Sequence, residues 1–167
     1  MSEKISTTFN ELMKFSNSIL RIENSITDNR IEIFEEKISY KLPKDFKYFI
    51  EKCNGFTLLF TQVNGIGIEF EESSLDKIYE FEHFEVGNPM PKEYLPFSPD
   101  GFGNYYCLDL SNCINDICSV VFWQHDFEYK NKTEVETCNE SFTDWVNEVM
   151  IEWTLDEFNY DGTKRNE

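Results

Sequence analysis

The segment from 95 to 104, in which two prolines precede an Asp-Gly turn, constrains the fold of this chain more than any other. Pro96 and Pro99 have no N–H to donate, so the segment that contains them can form an edge strand but not a helix or a central strand. Asp100-Gly101 supplies a turn, because glycine accepts the positive φ of a hairpin corner. The run 105–110, which follows, is rich in aromatic residues. We therefore predict a strand, a tight turn and a second strand with one buried face.

Apolar residues at helical spacing predict five helices. The third is the best defined, because Pro43 suits a first helical position and Asn54-Gly55 forms a stop. The last begins after Ser141, which can cap it together with Asp144, and its apolar stripe extends to Trp153. Ser73-Ser74 can start the fourth, which is short. The predicted helices cover about 8–21, 31–38, 44–52, 75–79 and 142–153.

Two further strand regions are predicted. The runs 56–60 and 66–70 are short and β-branched or aromatic, and Val63-Asn64-Gly65 between them indicates a hairpin corner. The run from Ser119 to Trp123 is apolar on both faces, which is typical of a central strand.

These elements predict an α+β fold in a single domain. We expect a mostly antiparallel, twisted sheet with helices packed against one face and the other face partly open. The domain is expected to cover 1–155, and the polar, acidic segment 156–167 is expected to be a frayed tail.

Four segments, in order, resemble the motifs of the SUKH superfamily, which includes bacterial immunity proteins and fungal cell-wall-synthesis regulators. The segment 95–110 resembles its central motif, and 42–55 resembles the start and stop of one of its helices. Val120 to Asp126 is similar to its late strand, and Ser141 to Trp145 to the start of its last helix. The resemblance spans roughly 30 to 153 and implies a SUKH-like fold. It implies structural roles for Pro43, Gly55, Pro96, Asp100, Gly101, Gly103, Asp109, Trp123 and Trp145.

The charge of the chain is unevenly distributed. The formal net charge is −17, yet residues 1–52 hold nine basic and nine acidic residues. Residues 53–129 carry a net −11, and residues 130–167 carry a net −6. Binding to phosphate groups requires Lys and Arg, so we expect neither a nucleic acid nor an anionic membrane as partner. A basic protein is a better partner for the negative electrostatic field of this chain.

Acidic residues of the middle region are the candidate partner-binding residues. A run of acids is usually only a solvated face, but solubility alone does not require the N-terminal third to be neutral while the rest is acidic. A docking surface for a basic protein does require such segregation. Phe70, Tyr79, Phe81 and Phe84 are candidate apolar anchors for it, although burial of most of them in the core is the simpler account. The candidates are Glu69, Glu71, Glu72, Asp76, Glu80, Glu82, Glu85, Asp126 and Glu128.

The sequence offers no enzyme signature. His125-Asp126 is the one pair that suggests a base or a metal ligand, but adjacent strand residues point to opposite faces, so the pair alone cannot build a site. Gly101-Phe102-Gly103 lacks the third glycine and the helix of a dinucleotide site. We expect no catalytic residues, no bound metal and no cofactor.

The five cysteines are expected to be free thiols. They lie at 53, 107, 113, 118 and 138, which is an odd number without a Cys-x-x-Cys pair. The N-terminus shows no basic and apolar leader, so we expect the protein to stay in the cytoplasm, where thiols remain reduced.

The expected function is therefore protein binding. The resemblance implies an immunity protein that neutralises a cognate toxin by stoichiometric binding, and the charge favours a basic, nuclease-type toxin. The alternative is a regulatory or scaffold module of the fungal-regulator kind without a toxin, and a third class, a metal-dependent hydrolase, requires metal at His125 and Asp126.

Overall fold

The strands form two antiparallel sheets in the computed structural model, which describes residues 2–26, 29–67 and 73–165. They are β1 (Leu20–Ile22), β2 (Phe56–Leu58), β3 (Thr61–Val63), β4 (Tyr94–Pro99), β5 (Tyr105–Ile114), β6 (Ile117–Trp123) and β7 (Glu136–Asn139). The smaller sheet has the order β1-β2-β3, and the larger has the order β4-β5-β6-β7. The fold class is α+β, as the sequence predicts.

Among the described residues, four α-helices precede a longer C-terminal helix. They are α1 (Ser2–Leu12), α2 (Arg30–Ile38), α3 (Lys44–Lys52) and α4 (Leu75–Phe84). The C-terminal helix is α-helical at Phe142–Trp145, π-helical at Val146–Glu152 and α-helical again at Trp153–Glu157. A short 3₁₀ helix occupies Lys132–Glu134.

Several local predictions are confirmed. Helix α3 has the predicted bounds, and Gly55 lies just beyond its end at a φ of +99°; Pro43 is its N-cap and not its first helical residue. Ser74 caps α4 by accepting a hydrogen bond from the N–H of Lys77 at 3.4 Å. Ser141 caps the C-terminal helix in the same way, 3.0 Å from the N–H of Asp144. Short polar side chains satisfy these N–H groups because the first turn of a helix has no internal acceptor for them.

The predicted strand, turn and strand are present as β4, residues 100–104 and β5. Pro96 and Pro99 lie in β4, which is an edge of the larger sheet, and β6 is a central strand. The Asp100 carboxylate closes the turn by accepting the N–H groups of Phe102 and Asn104 at 2.7 and 3.0 Å. Gly101 and Gly103 both have positive φ, at +84° and +93°.

The prediction that β5 buries only one face is wrong. Leu108 and Cys107, on opposite faces, are both fully buried. The larger core lies on the Leu108 face and is built with residues of the helices. A smaller cluster lies on the Cys107 face, which explains the second buried side; it consists of Met90, Tyr94, Cys107, Val121, Trp123 and Val135 and contains no residue of a described helix.

The remaining residues with expected structural roles lie in buried positions of this framework. Trp145 packs against Phe97 with ring centroids 4.8 Å apart, and Trp123 packs against Tyr129 at 4.6 Å. Asp109 is 9% exposed and accepts hydrogen bonds from the N–H and the hydroxyl of Ser111.

The first predicted helix has the wrong bounds. Helix α1 begins at Ser2 and ends at Leu12, whereas Leu20–Ile22 forms β1 and pairs with β2. Between them the Ser16 hydroxyl accepts the N–H of Ser18 at 3.2 Å, a local bond that competes with helical hydrogen bonding. The chain therefore turns at residues where apolar spacing alone predicts a continuous helix.

The predicted position of the corner of the first hairpin is also wrong. Strands β2 and β3 meet at Leu59 and Phe60, where Leu59 has a φ of +53°, and not at Val63-Asn64-Gly65. The predicted corner instead lies against Asn54, whose side chain bonds the N–H and the carbonyl of Ile66 at 2.7 and 2.6 Å. Most of the predicted strand over 66–70 lies outside the described residues.

Two expectations for the C-terminal region differ from the structure. Trp153 is 53% exposed instead of continuing the buried stripe, because the π-helical segment, with its i→i+5 bonds, shifts the helix face and buries Met150 and Ile151. The tail, expected to fray, has contacts up to Arg165. Tyr160 accepts the N–H of Ser16 through its carbonyl, and its ring packs against Phe15 at 4.9 Å.

The expectation of five free thiols is wrong for two of them, because Cys113 and Cys118 form a disulfide. They are cross-strand partners in the β5–β6 hairpin, whose two-residue corner at Asn115 and Asp116 has positive φ at both positions. A spacing of five residues does not reveal this pairing unless the corner of the hairpin is known. Disulfides persist mainly in oxidising compartments, so this bond would not persist in the expected cytoplasmic location.

We expect three reactive thiols per chain after unfolding without a reductant, from Cys53, Cys107 and Cys138. In the native protein these thiols should react slowly, because burial raises the pKa of each of them. The pKa rises to about 12 for Cys53 and to about 11 for Cys138.

Reduction of the disulfide should lower the free energy of unfolding by about 2 kcal/mol, because the short loop that it closes is released in the unfolded chain. Thiol titration in denaturant measures the count, and five thiols would contradict the pairing.

Candidate protein-binding surface

Helix α4 has two faces of opposite character. Its inner face is fixed by the His83 ring, whose Nδ1 lies 2.6 Å from the carbonyl oxygen of Tyr79 and whose Nε2 lies 3.1 and 3.0 Å from those of Pro91 and Tyr94. Burial lowers the pKa of His83, because it disfavours the charged imidazolium. The buried residues follow the spacing of one helix face: Leu75, Ile78, Tyr79, Glu82 and His83. Helix α4 is thereby held against the segment that leads into β4.

The outer face of α4 carries two phenylalanines that the core does not bury. Phe81 is 51% exposed and Phe84 is 60% exposed, and the exposed Glu85 follows directly. Single exposed apolar side chains are common on proteins, but two at a spacing of three residues lie next to each other on the helix. They give α4 an apolar patch beside a carboxylate.

Asn88 joins this region to the loop that follows β6. Its side-chain amide donates hydrogen bonds to the carbonyl oxygens of His125 and Phe127 at 3.0 and 3.2 Å. The loop exposes Asp126 and Glu128, and Phe127 between them is 48% exposed. Two acidic and aromatic segments that are far apart in the sequence are therefore adjacent in the fold.

The turn between β4 and β5 lies beside the same loop. The N–H of His125 donates to the side-chain oxygen of Asn104 at 3.2 Å, and the His125 ring lies directly over Gly103. The turn leaves Phe102 83% exposed. We call the exposed side chains of these three segments the α4 surface: Phe81, Phe84, Glu85, Phe102, Asp126, Phe127 and Glu128.

Glu82 differs from the other predicted partner-binding acids because it is buried. It is 7% exposed and is hydrogen bonded to the side chain of Tyr105. Burial raises the pKa of Glu82, which the bond to Tyr105 and the charge of His125 oppose, and burial also raises the pKa of Tyr105 to about 12. Glu82 therefore supports α4 from inside, which corrects its assignment as a surface contact.

The other predicted acids divide into three groups. Asp76 accepts the N–H of Gly67 at the opposite end of α4, and Glu80 lies 3.6 Å from the ammonium of Lys37. Glu69, Glu71 and Glu72 lie outside the described residues. Glu85, Asp126 and Glu128 are exposed on the two segments that Asn88 joins, and they are the three predicted acids of the α4 surface.

Sequence reasoning missed the residues that assemble this surface. Asn88 and Asn104 hold the three segments together, but no sequence pattern distinguishes a bridging asparagine from one in an ordinary turn. Phe102 and Phe127 were not predicted as exposed, because aromatic residues are usually buried and their exposure depends on the folded chain.

The alternative site at His125 and Asp126 has no support from the geometry. The His125 ring contacts Asn104 and Gly103, and both His125 and Asp126 are exposed. Within the described ranges, no group of three or more His, Cys, Asp or Glu side chains is placed to hold a metal ion. None of the helices described has the length and apolar character needed to cross a membrane.

Comparison with known families and structures identifies the fold. The family model described as SMI1 / KNR4 family (SUKH-1) matches residues 25–148. The chain belongs to the SMI1/KNR4 family. The matched SMI1/KNR4 region includes all three segments of the α4 surface and both sheets apart from β1, which lies just before it.

A solved structure has a similar fold. A crystal structure of a protein from Pseudomonas syringae pv. tomato has a TM-score of 0.61 and a sequence identity of 17%. The similarity covers 91% of this chain and 99% of that chain, and at this identity it concerns the fold alone. No match was found among curated proteins.

The contact between Gly103 and His125 predicts a difference between two glycines of the same turn. Both have positive φ, so replacement by alanine should cost about 1 kcal/mol at either position. A Cβ at Gly103 would lie 3.0 Å from two His125 ring atoms, whereas a Cβ at Gly101 meets nothing within 4 Å. Gly103→Ala should therefore cost about 1 kcal/mol more than Gly101→Ala in urea unfolding. Equal unfolding midpoints would show that the turn does not press on the loop.

Proposed function

We propose that this protein is an immunity protein that neutralises a basic toxin by binding it stoichiometrically through the α4 surface. The observation that carries the proposal is the exposure of four phenylalanines and three carboxylates on three segments that Asn88 and Asn104 hold together. Such a surface combines apolar anchors with charges at its rim, which is the usual composition of a protein-binding site. We propose no catalytic role for it.

The charge of the chain supports a basic partner. Residues 53–129, which contain the whole α4 surface, have a net charge of −11. Enzymes that act on nucleic acids need Lys and Arg at their surface to neutralise phosphate groups. A strongly acidic protein attracts such an enzyme over long range and competes with its substrate for the same cations, so a nuclease-type toxin is the partner of this proposal.

The aromatic side chains supply the second part of the proposed mechanism. Phe81, Phe84, Phe102 and Phe127 are each at least 48% exposed and would become buried in the complex. Complete burial of a phenylalanine contributes about 1.5–3 kcal/mol, so a partner that covers several of them dissociates slowly. The carboxylates then set the rate of association and the phenylalanines set the lifetime of the complex.

Family membership supports protein binding in a general sense. The immunity role and the toxin are proposals, and the cytoplasm, where an immunity protein meets its toxin, is the proposed location. In that reducing compartment Cys113 and Cys118 would be thiols. Neutralisation by binding requires no group that reacts with the toxin, only a complex that persists.

Charge reversal separates the two parts of this mechanism. We expect Glu85→Lys, Asp126→Lys and Glu128→Lys together to slow association with the toxin about tenfold at low salt and to flatten its salt dependence. Dissociation should change much less, because exposed charge pairs contribute about 0–1 kcal/mol each. Stopped-flow binding measures both rates.

The matched control is a triple reversal of Glu32, Glu36 and Glu51, which are exposed acids of α2 and α3. Glu35 is unsuitable because it is 3% exposed and lies 2.7 Å from both Lys41 and Lys47. The control should leave association nearly unchanged. An equal loss in both variants would mean that net charge, and not the α4 surface, guides the partner.

A further inference from the structure

The outer edge of β7 is a second open feature, remote from α4 in the order of the larger sheet. β7 is the last strand of that sheet and pairs with β6 alone among the described strands, through partners such as Thr137 and Val121. Glu136 and Thr137 are exposed. An edge of this kind presents backbone N–H and C=O groups that another extended chain can pair with.

Four acids of the C-terminal helix region lie beside this edge. All four line one groove beside β7, and they are Glu140, Asp144, Glu148 and Glu152. The side-chain amide of Asn139 in β7 donates to the Glu148 carboxylate at 2.6 Å, which fixes the distance between strand and helix. We call these four residues the acidic stripe. The one ion pair of the stripe with a described cation is that of Asp144 with Lys4.

A groove of about 360 Å³ runs between β7 and the acidic stripe. At Glu140 and Asp144 it adjoins a cavity of about 270 Å³ under the β5–β6 hairpin, with Ile5, Ile114 and Ile117 among its walls. Aliphatic walls beside carboxylates suit the side chain of lysine or arginine, which has an apolar stem and a cationic end.

The charges exclude a second copy of this chain as the occupant of the edge. Pairing two β7 strands would bring two acidic stripes and two Glu136 side chains together, in a protein with a net charge of −17. Like charges that are brought together in this way repel each other and oppose association. A cationic strand meets the opposite situation, because every second side chain of an extended segment projects to the same side and can face the stripe.

We propose that the outer edge of β7 binds an extended segment rich in Lys and Arg from a partner protein. The segment adds a strand to the larger sheet through backbone hydrogen bonds, and its cations face the acidic stripe. This site is separate from the α4 surface and does not depend on the function proposed for that surface.

Two short peptides test the proposal without the natural partner. The first is a capped, fluorescent peptide of four lysines alternating with three valines, and the second carries proline in place of each valine. Both have the same charge, but proline cannot donate to a strand. At 0.15 M salt we expect the first peptide to bind about tenfold more tightly, by fluorescence anisotropy, and to slow hydrogen exchange at 136–139. Equal affinities, no binding by either peptide, or protection elsewhere only would overturn the proposal.

A pair of triple variants tests the role of the stripe. Glu140→Gln, Glu148→Gln and Glu152→Gln keep hydrogen-bonding side chains but remove three charges, and together they should weaken binding of the first peptide about tenfold. Glu32→Gln, Glu36→Gln and Glu51→Gln remove the same charge elsewhere and should change affinity less than about twofold. An equal loss in both would show attraction to net charge only, which contradicts the assigned site. The protection at 136–139 and the effect of the stripe variants report on β7, so their absence overturns this proposal and leaves toxin binding at the α4 surface untouched.

Discussion

The packing of Phe97 against the helices is the interaction on which the rest of this structure depends. Phe97 projects from β4 and meets Phe142 and Trp145 of the C-terminal helix with ring centroids 5.2 and 4.8 Å apart, both edge to face. Phe46 of α3 completes the group at 6.0 Å. Each such pair contributes about 0.5–1.5 kcal/mol beyond the burial of its area. The group therefore joins β4, α3 and the C-terminal helix in one buried contact.

A buried carboxylate reinforces the same junction. Asp45, at the start of α3, is fully buried and accepts both the N–H and the hydroxyl of Thr143 at 3.0 and 3.2 Å. Burial raises the pKa of Asp45, and these hydrogen bonds oppose the rise. Leu75 and Tyr79 of α4 pack into the main core, and polar contacts of His83, Asn88 and Asn104 fix the segments that carry the α4 surface.

The sequence predicts those parts of the fold that are encoded locally. The strand and turn around Pro96 and Gly101 are predictable because proline and glycine restrict the backbone whatever surrounds them. The disulfide of Cys113 and Cys118 and the contact of Asn54 with Ile66 depend on which segments meet, so apolar spacing does not reveal them. For the candidate site, acidity was visible in the sequence but exposure was not. Glu82 and Glu85 are the same residue type three positions apart, yet Glu82 is buried against Tyr105 and Glu85 faces solvent.

The central claim is that the α4 surface contacts the partner. Hydrogen exchange, measured on the protein alone and in complex with the partner isolated from the native host, tests it most directly. Slower exchange at 81–88 and 124–128 in the complex is the predicted result, because covering Phe84 and Phe127 restricts the openings through which their backbone N–H groups exchange. Unchanged exchange in both segments, with protection confined to other regions, would contradict it.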